Sequence, residues 1–243
     1  MKRLAGKKAL VTGASRGIGQ AIACAFAAEG ADVAITARHA DALRDTAAQI
    51  EATGQRVYPL AWDVADVSQV DAHLSEVTQH LGGLDILVNN AGVLRKDRAN
   101  PPLAEEEWDY IMDVNLKGLF YLCQDAARVM AEQRHGVIIN IASDAGLRAA
   151  AHPYGISKWG VIGLTQGLAK TLARDGIRVN AIAPGPVATE MMNWQPGKSM
   201  DAPNLPLGRY ALPEEVARVA LFLASEDAAA IFGQAIVVNS AND

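Results

Sequence analysis

Seven short runs of β-branched and apolar residues, separated by longer stretches with helical spacing, constrain the fold of this chain most strongly. Most of these runs are continuously apolar, which is typical of strands covered on both faces. The predicted strands are residues 9–12, 32–36, 57–61, 86–89, 137–141, 178–182 and 235–239, and predicted helices include residues 18–29, 43–52 and 67–81. The alternation predicts right-handed βαβ units in one parallel, doubly wound α/β sheet of the Rossmann type.

The alternation continues along the whole chain, so we expect a single domain over residues 1–243. Its 243 residues, 50% of them hydrophobic, are enough for one substantial core. Residues 185–212 differ, because prolines and glycines replace the helical pattern there. We expect a loop or lid over the substrate, since long ordered loops in compact domains are often functional.

Charge and cysteine content restrict the partners and the compartment. The 22 basic and 27 acidic residues give a net charge of -5, which repels a nucleic-acid backbone. Cys24 and Cys123 fall in predicted helices, so a disulfide scaffold is excluded and a reducing compartment fits. Lys7 and Lys8 interrupt the apolar run of a signal peptide, and no segment has the roughly 18 apolar residues of a membrane span. We expect a cytoplasmic protein without nucleic-acid or membrane partners.

A glycine-rich turn, residues 12–19, connects the first predicted strand to the first predicted helix. Gly13 permits the tight turn, Gly17 lets the backbone approach a pyrophosphate, and Gly19 allows close packing of the helix. The turn also contains the Gly-x-Ser-x-Gly pattern of a hydrolase, but that enzyme class needs a late histidine and the last one here is His152. An ordinary turn is the other alternative. The strand-turn-helix context favours a dinucleotide site formed by Gly13, Ser15, Arg16, Gly17, Ile18 and Gly19.

The end of the second predicted strand bears on the choice of dinucleotide. An acidic residue there binds the ribose of NAD, whereas a 2′-phosphate needs a cation. The sequence is Thr36-Ala37-Arg38, without an acid. Arg38 and Arg16 together suit the phosphate, because a guanidinium binds it with two parallel hydrogen bonds. NADP(H) is therefore favoured, while NAD(H) remains possible if both arginines are ordinary surface residues.

Tyr154 and Lys158 are four positions apart, so on a helix they project from the same face. A nearby ammonium stabilises a phenolate, which makes the pair a usable acid and base. The alternative is a pair on a helix surface.

These motifs together resemble the classical short-chain dehydrogenase/reductase family, and the resemblance covers essentially the whole chain. The matching residues are 12–19, Asp63, 89–92, Asn115, Ser143, 154–158, Asn180 and 184–185. The family's usual sheet has seven strands, in agreement with the independent strand count.

The resemblance implies a mechanism. Tyr154 gives a proton to the oxygen of a carbonyl that receives hydride from the cofactor, and Ser143 hydrogen-bonds the same oxygen. Lys158 tunes Tyr154 and holds the nicotinamide ribose. Asn115 kinks its helix, and its main-chain carbonyl holds a water that links Lys158 to solvent. An isolated asparagine in a helix is otherwise most often solvent-facing.

Further cofactor contacts are implied at the ends of later strands. Asp63 and Val64 lie where the family binds adenine, although Asp63 also suits a helix cap. The other implied contacts are Asn90, Ala91 and Gly92 at the adenosine ribose, and Pro184, Gly185, Val187 and Thr189 at the nicotinamide carboxamide. An ordinary proline-glycine loop is the alternative for this last segment.

Candidates for the substrate pocket are Leu94, Leu147, His152, Met191, Met192 and Trp194. Apolar groups on a lid exclude water, but the methionines and the tryptophan suit burial against the core equally well. For His152 a partly exposed histidine is the alternative. The five histidines show no metal-ligand spacing, so no metal site is expected.

The substrate itself remains open. Residues 134–136 and 206–209 resemble segments of the 3-oxoacyl-[acyl-carrier-protein] reductases, but ketone, sugar and aromatic-diol dehydrogenases share the framework. An acidic carrier protein needs a basic docking face. Arg174 is a candidate for that face, but the acidic Asp175 follows it and offsets its charge. The leading hypothesis is an NADPH-dependent carbonyl reductase acting on a small molecule. The alternatives are an NAD-dependent alcohol, sugar or diol dehydrogenase and a non-catalytic dinucleotide-binding regulator.

The resemblance also implies a homotetramer formed through the helices at residues 116–130 and 158–173. Apolar residues expected beyond the core-facing stripe of these helices are Phe120, Leu122, Val161 and Leu168. Residues 238–241, Val-Asn-Ser-Ala, replace the Val-Asp-Gly-Gly ending frequent in the family, so assembly or closure of the site can differ.

Overall fold

The predicted strands form one sheet in a computed structural model, which describes residues 2–94, 103–195 and 197–239. The strands are β1 (Lys8–Val11), β2 (Asp32–Ala37), β3 (Val57–Ala61), β4 (Ile86–Asn89), β5 (Gly136–Ile141), β6 (Ile177–Pro184) and β7 (Ala235–Val238). Their boundaries agree with the predicted ones to within two residues. Sequence periodicity located them because each strand is short and apolar.

The seven strands lie in the order β3-β2-β1-β4-β5-β6-β7, and every neighbouring pair is parallel. In the central strand, Leu10 is in register with Ala34 on one side and Leu87 on the other. The chain moves outward from β1 to β3 and then crosses to β4, so the strand order reverses between β1 and β4. The predicted doubly wound parallel sheet is confirmed, and such a reversal point is where this fold binds ligands.

Helices cover both faces of the sheet. They are α1 (Gly17–Ala28), α2 (Arg44–Glu51), α3 (Val70–Leu81), α4 (Glu105–Met112), α5 (Gly118–Gln133), α6 (Pro153–Leu172) and α7 (Pro213–Ala224). Short 3-10 turns, Ala40–Leu43 and Val67–Gln69, precede α2 and α3. A π-helical turn, Asp113–Lys117, joins α4 to α5. Within the described ranges, no helix is long and apolar enough to span a membrane.

Alternate strand residues enter two separate cores, which explains why the strands are apolar on both faces. Val11 packs with Phe26 in the core beneath α1 and α7, whereas Leu10 packs with Leu74 and Leu122 beneath α3 and α5. Cys123 is fully buried in the second core, and burial raises the pKa of its thiol to about 12.

The expected contacts with a symmetry mate need correction. Leu122 and Val161 are 1% and 0% exposed, because they fill the core of their own subunit. Leu168 is half-buried against the same core. Phe120 is 42% exposed on α5, and Trp159, which was not among the predicted contact residues, is 67% exposed on α6.

The expected loop at residues 185–212 contains one 3-10 turn, Glu190–Met192, and two isolated bridges hold it together. These bridges pair Val187 with Ala211 and Asp201 with Arg209. The start of this loop meets the end of the last strand, since the Gly185 amide donates to the Val238 carbonyl oxygen at 2.9 Å. In the atypical carboxyl-terminal ending, Ser240 and Ala241 lie outside the described residues.

Candidate active site

A cleft of about 1580 Å³ lies at the carboxyl ends of the strands, across the point where their order reverses. This volume exceeds that of an ordinary small-molecule pocket, so the cleft has room for a dinucleotide and a substrate together. All the sequence-predicted cofactor residues line it: Gly13, Ser15, Arg16, Gly17, Ile18, Gly19, Arg38, Asp63, Val64, Asn90, Ala91, Gly92, Tyr154, Lys158, Pro184, Gly185, Val187 and Thr189.

The glycine-rich turn presents backbone amides to this cleft. No side chain in the described part of the chain caps the amino terminus of α1, and the first turn of this helix carries no acidic residue. Asn90 ties the turn to the end of β4 by donating from Nδ2 to the carbonyl oxygens of Thr12 and Gly13, both at 2.9 Å. A Cβ atom at Gly19 would lie 2.4 Å from the Gly13 oxygen, so glycine is required there. Uncapped amides at a helix amino terminus fit a pyrophosphate.

Two arginines with exposed side chains lie at this end of the cleft: Arg16 within the turn and Arg38 directly after β2. Arg16 Nε lies 3.2 Å from Glu190 Oε2, and both side chains are more than half exposed. Arg38 Nη1 donates to the Tyr110 hydroxyl at 3.2 Å. Sequence reasoning missed Tyr110, because it comes from α4, 72 residues further along the chain. The arginines thus reach the same cleft with partners that a bound phosphate can replace.

The far end of the cleft is formed by the residues that follow β3. Asp63 Oδ1 accepts from the Ala65 amide at 3.0 Å, so its carboxylate binds its own turn, as a capping residue does. Trp62 also lines the cleft, and its buried Nε1 has no hydrogen-bond partner among the described residues. This atom is not accessible from the cleft, so it is a buried donor without a described partner and not a ligand contact.

Tyr154 lies in the first turn of α6, and Lys158 follows one turn later on the cleft side. The Lys158 ammonium is 5.9 Å from the Tyr154 ring centroid and donates to the Ile141 carbonyl oxygen at 2.7 Å. Its side chain is buried, and burial lowers the pKa of Lys158 to about 8. A Cβ atom at Gly92 would be 3.6 Å from Nζ, so the end of β4 closes over the lysine.

Ser143 follows β5 and is buried at the floor of the cleft. Its Oγ is 3.2 Å from Asp144 Oδ1 and 3.4 Å from the Pro184 carbonyl oxygen, and it accepts from the Ala145 amide at 3.2 Å. The hydroxyl therefore has acceptors on two sides and a fixed position at the junction of β5 and β6.

Asn115 lies behind the cleft and does not line it. Its side chain is fully buried: Oδ1 accepts from the Val93 amide at 2.8 Å, and Nδ2 donates to the Val93 oxygen at 2.9 Å and to Ser157 Oγ at 3.2 Å. The solvent-facing alternative for Asn115 is therefore wrong. The π-helical winding of Asp113–Lys117 places this side chain inward.

Five of the six candidates for the substrate pocket line the cleft. Leu94, His152, Met191, Met192 and Trp194 line it. Leu147 is not among the described lining residues and is 48% exposed, so this assignment is corrected. Leu147 ends the 3-10 turn Asp144–Leu147 and points away, whereas the next residue, Arg148, lines the cleft. Such a change of direction within one tight turn has no signal in the sequence.

His152 has a local structural role. It precedes α6, and its Nδ1 accepts from the Gly155 amide at 3.1 Å, which caps the helix that carries Tyr154. The side chain is exposed, as the alternative for this histidine predicted. Met191 and Met192 are 41% and 38% exposed, so they are not buried against the core.

The two segments that resemble 3-oxoacyl reductases lie outside the cleft lining. His135 Nε2 is 2.6 Å from Asp85 Oδ1, and this hydrogen bond raises the pKa of His135. Arg209 Nη2 is 2.8 Å from Glu215 Oε1, and Glu215 Oε2 accepts from the Leu212 amide at 2.7 Å at the start of α7. Both segments therefore stabilise the fold.

Known proteins are similar to this chain over nearly its whole length. The family model described as enoyl-(acyl carrier protein) reductase matches residues 13–240. The 3-oxoacyl-[acyl-carrier-protein] reductase FabG of Thermotoga maritima is 41% identical over 98% of each chain. D-threitol dehydrogenase of Mycolicibacterium smegmatis is 40% identical over 98% of this chain and 93% of its own. The crystal structure of a short-chain dehydrogenase from Burkholderia cenocepacia in complex with NADP is 36% identical, with a TM-score of 0.88 and 98% coverage of each chain.

The match extends over nearly the full length of these relatives, and the fold agrees with it. The chain therefore belongs to the short-chain dehydrogenase/reductase family and is an NAD(P)-dependent oxidoreductase.

Proposed function

We propose that this chain is an NADPH-dependent carbonyl reductase with Tyr154 as the general acid. The observation that carries the proposal is the buried Lys158 ammonium, one helical turn from Tyr154 in the cleft that also contains Ser143. No carboxylate pairs with this lysine among the residues that the structure describes, and a buried cation of this kind is costly to the fold, which favours a chemical use. A non-catalytic regulator has no need to bear this cost.

The cofactor, when bound, supplies the hydride that reduces the carbonyl carbon. Tyr154 donates its hydroxyl proton to the carbonyl oxygen, so one hydride and one proton convert the ketone to an alcohol. Ser143 turns its hydroxyl from Asp144 or Pro184 toward the same oxygen and stabilises the negative charge that develops there. Both side chains are held at the end of β5 and the start of α6, so little reorganisation is needed.

Lys158 acts through charge. Burial destabilises its ammonium in the free enzyme, so the cation gains from any anion or polar group that enters beside it. A Tyr154 phenolate and the ribose hydroxyls of the cofactor are such groups. Asn115 fixes Val93 beneath this position. The Asn115 main-chain carbonyl is proposed, from the family resemblance, to hold a water that resupplies the proton.

The 2′-phosphate of NADPH is proposed to bind Arg16 and Arg38. NADPH and NADH should be titrated separately into the purified protein without substrate. We expect a preference for NADPH of about tenfold or more, which Arg38→Asp reduces or reverses. Arg44→Asp, an equally large charge change on an exposed side chain outside the cleft lining, is the matched control. An unchanged preference in Arg38→Asp would contradict the phosphate site.

The relatives support two candidate substrate classes. Similarity to the T. maritima reductase supports a 3-oxoacyl or other ketone substrate in the reducing direction. Similarity to D-threitol dehydrogenase supports an NAD-dependent alcohol, sugar or diol dehydrogenase that uses the same residues. Preference for NADPH favours the first, and preference for NADH favours the second.

A homotetramer is proposed from the outer faces of α5 and α6. Phe120, Tyr121 and Trp159 are exposed there, at 42%, 40% and 67%, which is unfavourable on a free surface. Mass measurement at micromolar concentration should give a tetramer, and Trp159→Glu should shift it toward smaller species. A wild-type monomer under these conditions would overturn this part of the proposal.

A further inference from the structure

A carboxylate and a guanidinium lie next to Ser143 on the substrate side of the cleft. Asp144 and Arg148 both line the cleft, and Arg148 Nη2 is 3.0 Å from Asp144 Oδ2. The other carboxylate oxygen, Oδ1, is 3.2 Å from Ser143 Oγ. Asp144 therefore connects the proposed catalytic hydroxyl to a cation.

The Ser143 hydroxyl has a single hydrogen to donate. When that hydrogen turns to the carbonyl oxygen of a substrate, it is no longer available to Asp144 Oδ1. A largely buried carboxylate oxygen that loses a donor carries a free-energy cost. A hydroxyl group on the substrate, next to the reacting carbonyl, removes this cost by donating to Asp144.

The distances suit such a substrate. The two oxygens of an α-hydroxy ketone are separated by about one hydrogen-bond length, roughly 3 Å. Ser143 Oγ and Asp144 Oδ1 are 3.2 Å apart, so each can bind one of the two oxygens. Arg148 balances the Asp144 charge, which would otherwise oppose the negative charge on the reacting oxygen. A substrate carboxylate in the same place would be repelled by Asp144.

We propose that the enzyme reduces α-hydroxy ketones to vicinal diols, and that Asp144 selects the hydroxyl next to the reacting carbon. Arg148 is a positioning residue, because it acts through Asp144. The inference rests on the proposed reductase function. The carbonyl carbon gains the hydride, its oxygen gains the Tyr154 proton, and the neighbouring hydroxyl is unchanged.

Three substrates of similar size test this proposal: 1-hydroxy-2-butanone, 2-butanone and 2-oxobutanoate. The wild type should show kcat/KM at least about tenfold higher for the hydroxy ketone than for 2-butanone, and the oxo acid should be the poorest. Asp144→Ala should bring the hydroxy ketone close to 2-butanone and improve the oxo acid relative to both. Asp144→Asn, which keeps an acceptor but removes the charge, should improve the oxo acid and retain part of the hydroxy-ketone preference. Equal use of the hydroxy ketone and 2-butanone by the wild type, or preference for the oxo acid, would overturn the proposal.

Arg148→Met tests the positioning role. It should lower kcat on the hydroxy ketone, because the Asp144 charge is then less compensated. Arg3→Met is the matched control, since Arg3 is similarly exposed and pairs with Glu29 at 3.4 Å outside the cleft lining. It should leave activity unchanged.

Binding gives a readout that does not depend on turnover. The unfolding temperature of the protein with NADP should rise more with 1,2-butanediol than with 2-butanol, and Asp144→Ala should abolish the difference. No difference in the wild type would overturn the selection of a hydroxyl. If the diol effect is present but no ketone is reduced, the reductase function fails while the hydroxyl site stands.

Discussion

The charged groups of the cleft are held in two different ways. Lys158 is 4% exposed, enclosed by α6, β5 and the end of β4, and bonded to a backbone oxygen. Arg16 and Arg38 reach the same cleft from the surface, where their partners are the side chains of Glu190 and Tyr110. The lysine position depends on the packing of the whole fold, whereas the arginine positions depend on single exposed contacts.

This difference indicates which property of the enzyme is easy to change. Replacing an exposed arginine costs little stability, so the proposed 2′-phosphate site can change without loss of the fold. The lysine and the tyrosine are embedded in elements that also form the core, so their chemistry is constrained together with the fold.

The largest effect on activity is expected at the buried Lys158. Lys158→Met should reduce single-turnover reduction of a ketone by roughly 100-fold to 1,000-fold, because the Tyr154 acid loses its cation. Folding should be retained, since an apolar side chain replaces a buried charge of similar length. Lys170→Met, at an exposed lysine in the last turn of α6 and outside the described cleft lining, should retain full activity. Full activity in Lys158→Met would remove the lysine from the mechanism.

A second test separates the role of the turn's backbone from that of the Arg16 and Arg38 side chains. Gly19→Ala places a methyl group 2.4 Å from both Gly13 O and Asn90 Nδ2, so the turn must move. We expect a destabilisation of about 1–3 kcal/mol and a loss of NADPH affinity on the order of 100-fold. Calorimetry and urea unfolding measure the two effects.

The control for the turn is Gly167→Ala on α6, where a Cβ atom meets no neighbour within 4 Å. This change should stabilise the protein by about 0.5–1 kcal/mol without affecting binding. If Gly19→Ala binds NADPH as the wild type does, the turn does not hold the pyrophosphate.

The buried lysine should also make stability depend on pH. Burial lowers the pKa of Lys158 from 10.5 to about 8, so between these values the unfolded chain binds more protons than the folded chain. The free energy of unfolding of the cofactor-free protein should therefore rise with pH across this window, by an amount of the order of 3 kcal/mol. The pH dependence of unfolding should be compared with that of Lys158→Met. This variant keeps every other titrating group, including Tyr58, whose pKa is raised to about 12. Identical pH dependence in both proteins would mean that Lys158 is not buried as described.

The smallest effect, a change in cofactor affinity, is expected at the exposed Arg16–Glu190 pair. Glu190→Gln releases Arg16 from its carboxylate partner, and both side chains are more than half exposed. NADPH affinity should increase by about twofold or less, and NADH affinity should not change, because exposed ion pairs contribute little. Titration of both cofactors measures this difference. An equal gain for NADH would mean that Arg16 does not contact the 2′-phosphate.

The sheet, the turn and the common placement of Tyr154 and Lys158 were accessible from the sequence because each depends on neighbouring residues. The strands show a local apolar pattern, and residues 12–19 contain the whole turn. Tyr154 and Lys158 share one helix, so their spacing predicts a common face.

Other parts of the site were not accessible, because they depend on contacts distant in sequence or on local direction. Tyr110 reaches Arg38 from a helix 72 residues away. Trp62 reads as an ordinary apolar residue at the end of a strand, although it also lines the cleft. Arg148 lines the cleft and Leu147 does not, because the 3-10 turn ends at Leu147 and the chain changes direction there.

The central claim is that Tyr154 supplies the proton to the reduced oxygen, and single-turnover reduction tests it most directly. Enzyme premixed with NADPH at known occupancy is mixed with a ketone, and NADPH oxidation is followed for the wild type and for Tyr154→Phe. We predict equal NADPH affinity and a rate at least about 100-fold lower in the variant. Equal rates in the two proteins would contradict the mechanism proposed here.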